Sequence, residues 1–73
     1  MEYIGQYQRM SGPMHITDTH YSHTNKKGEK IRLTEITSIL GRNTRTTWRV
    51  KREGVICAIG PFATSEAAIT FTE

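Results

Sequence analysis

Cysteine is almost missing from this chain: Cys57 stands alone. A lone cysteine excludes an internal disulfide and any zinc site built on a cysteine pair. It also fits a reducing compartment. Long apolar runs are missing too. The longest, VICAI at 55–59, falls far short of the roughly 18–20 residues of a membrane span. The opening stretch MEYIGQYQRMSGPMH has no apolar core of the secretory kind. These absences point to a cytoplasmic protein with no membrane partner. Proline occurs only at Pro13 and Pro61, each next to a glycine in a chain-breaking cluster. No glycine-rich phosphate loop is present; Gly41, Gly54 and Gly60 read as turn glycines.

Acids are missing from the middle of the chain. Residues 42–52 carry Arg42, Arg45, Arg49, Lys51 and Arg52 with no carboxylate. Residues 24–32 carry Lys26, Lys27, Lys30 and Arg32 against Glu29 alone. Residues 53–73 reverse the sign, with Glu53, Glu66 and Glu73 and no base. The formal net charge of +3 is therefore unevenly placed. Such asymmetry argues for a polyanionic partner, against the plainer reading of a solvated Lys/Arg face.

Catalytic and metal-binding patterns are thin. His15, Asp18, His20 and His23 are close in sequence, but on a strand His20 and His23 point to opposite faces. Structural zinc sites normally take four ligands, usually including cysteine. Cys57 lies in an apolar run, where a buried thiol is inert. The sequence therefore predicts no enzyme, no catalytic residue, no metal and no cofactor.

At 73 residues the chain makes one small domain with a marginal core. Abundant threonine leans toward strands. Residues 1–13 read as a weakly ordered arm, or as a short strand around Tyr3 to Tyr7. Residues 14–73 form the domain, with strands over 14–22, 29–37, 45–52 and 55–60. NKKG at 25–28 is a polar turn. A helix follows over 64–72, with Thr64 as N-cap and Glu66 in the first turn, where the helix dipole favours an acid. Ala67, Ala68 and Phe71 share one face of it.

The stretch GRNTRTTWRVKREG at 41–54 admits two readings. As a strand, Thr44, Thr46, Trp48 and Val50 face the core, and Arg45, Thr47, Arg49 and Lys51 face outward. Glu53-Gly54 then forms a hairpin turn, with VICAI as the returning strand. As a helix, Arg45, Arg49 and Arg52 share a face, and residues 33–54 resemble a helix-turn-helix. The strand reading is favoured because threonine and valine lower helix propensity. The predicted fold is thus α+β: a small antiparallel sheet of three to four strands with a C-terminal helix packed on one face. The alternative is a helix-turn-helix core with a short hairpin.

WRVKREGVICAIGPFATSEAAITF carries a further pattern in Trp48, Val50, Gly54, Gly60, Phe62, Thr64, Glu66 and Ala67. It resembles the hairpin-plus-helix end of two DNA-binding families. These are the arm-binding domains of tyrosine-recombinase integrases and the plant ethylene-response type of domain. It is also similar to small uncharacterised bacterial proteins carrying W-x-V-K-R-E-G. The resemblance to the DNA-binding families implies a sheet whose outer face enters a major groove.

The function expected is a small DNA-binding protein of bacterial or phage type. Lys26, Lys27, Arg42, Arg45, Arg49, Lys51 and Arg52 would neutralise phosphates. Arg45 and Arg49 are the candidates for base readout. A homodimer would cover an exposed sheet edge. The alternative is a non-enzymatic protein-binding module, such as a phage inhibitor that occupies a nucleic-acid channel on a host protein.

Overall fold

A computed structural model describes all of residues 1–73. The chain runs β1 (Glu2–Ser11), β2 (Met14–Thr24), β3 (Lys30–Leu40), β4 (Asn43–Arg52), β5 (Ile59–Phe62), then α1 (Ser65–Thr72). The strands form one antiparallel sheet in the order β1-β2-β3-β4-β5, so every neighbour in sequence is a neighbour in space. The α+β class with one C-terminal helix agrees with the sequence, but the sheet has five strands where three to four were expected.

The helix-turn-helix alternative is excluded. Residues 33–40, whose periodicity is helical, lie within β3, and Asn43–Arg52 is β4. Its registers show why. Leu33 pairs with Val50 and also with Tyr21 on the other side, so the apolar set is completed across strands instead of along a helix. Residues 1–13 are also more than an arm. They supply a ten-residue edge strand paired with β2 from Glu2 to Ser11, with a register shift between Tyr3 and Gly5.

VICAI is not a strand. The chain turns after Arg52, with Val55 N donating to the Arg52 carbonyl at 3.1 Å. It stays irregular through residue 58, and β5 is IGPF. Gly60 and Pro61 therefore sit inside the sheet. Gly60 has φ +155°, and an added Cβ would stand 2.8 Å from the Trp48 carbonyl oxygen. Only glycine lets β5 approach β4 this closely.

Period-two alternation puts Ile31, Leu33, Trp48 and Val50 on one face, and α1 covers them with Ala68. Tyr21, Phe62 and Ile69 pack around this cluster. Tyr3, Tyr21 and Trp48 form an aromatic chain across the same face, with centroid separations of 6.2 and 5.8 Å. The helix begins as the sequence indicates: the Thr64 side chain accepts from Ala67 N at 3.1 Å. Its inward stripe is rotated from the expected one. Ala68 and Thr72 are buried, while Ala67 and Phe71 are exposed.

Asn25 ties the far end of α1 to the β2–β3 turn. Its Oδ1 accepts from Lys27 N at 3.0 Å and Glu29 N at 2.9 Å. Its Nδ2 donates to the Thr72 carbonyl at 3.0 Å. An eight-residue helix is unstable alone, so this clamp and the Ala68 contact hold it. Asn25→Ala removes these hydrogen bonds, leaves the buried Thr72 carbonyl unsatisfied and is expected to cost about 1–3 kcal/mol, read as a lower urea midpoint with unchanged slope. A wild-type midpoint would show that the clamp carries no stability. Gly60→Ala is expected to lower the melting temperature as well, because the clash is with backbone; an unchanged melting curve would contradict that packing.

Candidate nucleic-acid interface

The face opposite α1 is uncovered. Alternation along β4 places Arg45, Arg49 and Lys51 there, together with Thr47, as the strand reading requires. The neighbouring strand adds two cations absent from the expected set. Arg32 pairs with Lys51, and Lys30 lies two residues before it in the same phase. The signal for them was in the sequence: Ile31 and Leu33 are the inward residues of β3, so Lys30 and Arg32 must face outward.

The cross-strand rows on this face can be read directly. Glu2, Ser22, Arg32 and Lys51 form one row; Gly5, His20, Thr34 and Arg49 form the next. Ile16, Ser38 and Arg45 form a row farther along, with Arg9 at its β1 end. From Lys51 to Arg45 the strand rises about 20 Å. His20 Nδ1 lies 2.9 Å from Thr34 Oγ1, and the His20 ring meets Tyr7 edge-on at 5.6 Å. Ile16 is buried on this face even though the helix is on the other side.

Charge pairing divides the face in two. Asp18 engages Arg9, with Nε to Oδ2 at 2.9 Å. This hydrogen bond and the carboxylate charge hold the Arg9 guanidinium above its ordinary pKa. It is the only ion pair in the molecule, so Lys30, Arg32, Arg45, Arg49 and Lys51 have no carboxylate partner. Arg49 has another neighbour: Gly60 lies against it, and a Cβ there would stand 3.0 Å from Arg49 Cγ.

The remaining candidates do not join this group. Lys26 and Lys27 lie in the β2–β3 turn beside the helix C-terminus, where Lys26 N donates to Glu73 Oε2 at 2.9 Å. Arg42 lies in the β3–β4 turn at the other end of the sheet. Arg52 pairs with Ile31 and so belongs to the helix-covered side. Of the seven cations read from sequence, the sheet gathers Arg45, Arg49 and Lys51.

His20 and His23 do fall in opposite phases of β2, and no three His, Cys, Asp or Glu side chains come together. No helix is long and apolar enough to cross a membrane. Cys57 is exposed in the 53–58 segment, in contrast to the buried strand position expected for it. An apolar run reads as core only if a partner face is available, and here α1 and Phe62 already fill that face. Native protein should therefore react with a thiol reagent such as DTNB as fast as the urea-unfolded chain. Protection by more than about tenfold would show the segment to be closed over. No family model, curated protein or solved structure matches this chain.

Proposed function

We propose that the protein binds nucleic acid, DNA in the first instance, through the outer face of β3 and β4. The observation that carries this reading is five cations on one uncovered sheet face with no carboxylate partner. Cations held this way keep their charge for an external anion. Phosphate neutralisation by Lys30, Arg32, Arg45, Arg49 and Lys51 would supply most of the affinity. Arg45 and Arg49 are exposed and far enough along the strand to reach base edges. The helix on the rear face leaves that approach open.

β1 leaves its outer backbone edge unpaired and exposes Tyr3, Ile4, Tyr7 and Met10. Pairing of two copies along it would double the phosphate-contacting face, and dimerisation is part of the proposal.

The test is fluorescence anisotropy of a labelled mixed-sequence duplex, titrated from low to physiological salt. Binding at micromolar level or tighter is expected, with a log–log salt slope of roughly −3 to −5 for several released counterions. Arg45→Ala with Arg49→Ala should weaken it at least about tenfold and make the slope shallower by about two. These side chains are exposed, so the fold should survive. Absence of binding at low salt would remove the proposal and leave a protein partner as the alternative.

A further inference from the structure

The outer face is not uniform along its length. At the end nearest Arg52, residues 53–58 leave the sheet and contribute Val55 and Ile56 to one side of a cleft of about 540 Å³. Its floor is the cross-strand row Ser22, Arg32 and Lys51. Its other side is Ile4, in β1. The walls are apolar and uncovered: Ile56 is 90% exposed, and Val55 and Ile4 are exposed as well. Lys30 and Arg52 line it too, and Glu53 is its one carboxylate, so the lining is net cationic. Such a cleft selects a ligand with an anionic group joined to an apolar body.

The surroundings narrow the class. From the cleft the cations continue along β4 through Arg49 to Arg45. A single-headed amphiphile would use the cleft and leave this track idle, whereas a polymer of repeated negative charge uses both. β1 and β4 are three strand spacings apart, about 14 Å. That is close to the width of a major groove alone, about 12 Å, so a whole duplex cannot settle between the walls. A single strand can. Three of the track's cations are arginines, whose planar guanidinium groups stack on bases as well as pair with phosphates.

We infer that the cleft takes one unstacked nucleotide of a single strand, its phosphate over Arg32 and Lys51 and its base between Ile4 and the Val55–Ile56 wall. The inference rests on the nucleic-acid reading above and adds the form of the ligand. A duplex lies on the arginine track only; a single strand occupies the track and the cleft.

The experiment compares one labelled mixed-sequence single strand with its duplex at equal salt, for the parent protein and for Val55→Ser with Ile56→Ser. Both replaced side chains are exposed, so the variant should fold, and it changes no charge. The parent should bind the single strand about tenfold tighter than the duplex. The variant should lose that difference and hold the duplex within about twofold, since its phosphate contacts are intact. A duplex preference, or a variant that keeps the parent's single-strand affinity, overturns the inference and leaves the nucleic-acid reading standing. Absence of binding to either form overturns both. Displacement of the single strand by polyglutamate at equal charge concentration would identify an acidic peptide as the occupant, and would also overturn it.

Discussion

The seating of Ala68 over Leu33 and Val50 is the contact on which the rest depends. Leu33 and Ala68 are completely buried, and they fix which side of the sheet is inside. Because side chains alternate strictly, that choice also fixes the outside. Arg32 must face away because Leu33 faces in, and Arg49 and Lys51 must face away because Val50 lies between them. A slip of one residue in β4 would drive two cations into the only apolar cluster. Desolvating unpaired charges there would cost several kcal/mol each. The arrangement of the outer face is thus a consequence of the core.

That core is small for the sheet it supports. It holds Ile31, Leu33, Trp48, Val50 and Ala68, all near one end of strands ten or eleven residues long. Beyond the helix the strands continue as a ribbon rich in threonine, and the molecule extends 41 Å along its long axis against 20 and 19 Å across. There the ladder of backbone hydrogen bonds and local contacts such as Thr37 Oγ1 to Thr46 Oγ1 carry the structure. The Arg9–Asp18 pair and the Gln6–Thr19 hydrogen bond fasten the edge strand β1 across the same region. Exposed pairs of this kind are individually weak, so β1 depends mainly on its ladder.

The parts of the fold legible in the sequence are those where alternation and burial coincide. Thr44 to Lys51 was readable because Trp48 and Val50 are inward and charged residues separate them. The Thr64 cap was readable because its chemistry is local. β1 was only half legible: an edge strand with both sides largely exposed has no buried face to print an apolar period on its sequence. VICAI misled for the converse reason. Its apolarity promises burial, but the inner face was already occupied, and β5 had to begin at Ile59 to bring Gly60 against Trp48. In α1 the expected stripe was rotated, since Ala67 and Ala68 are equivalent by hydrophobicity, and the packing of Ala68 and Ile69 on the sheet selects the face. Of the outward cations, Arg45, Arg49 and Lys51 were legible from one strand. Lys30 and Arg32 required the phase of β3, which its helical periodicity obscured.

The outer face also contrasts two ways of placing a cation. Arg9 is held by a carboxylate, which fixes its position and cancels its charge. Arg49 is placed by backbone: the missing Cβ of Gly60 leaves room for its stem, and its cross-strand partner is the uncharged Thr34. The first arrangement serves the sheet, joining β1 to β2. The second orients a side chain and leaves its charge unspent. Arg32 and Lys51 are direct cross-strand partners and neither has a carboxylate partner, an arrangement that is destabilising in itself. The core fixes that both positions face outward; it does not fix that both are cations. On the nucleic-acid reading proposed above, an anion from outside the chain would compensate them at the row that also floors the cleft.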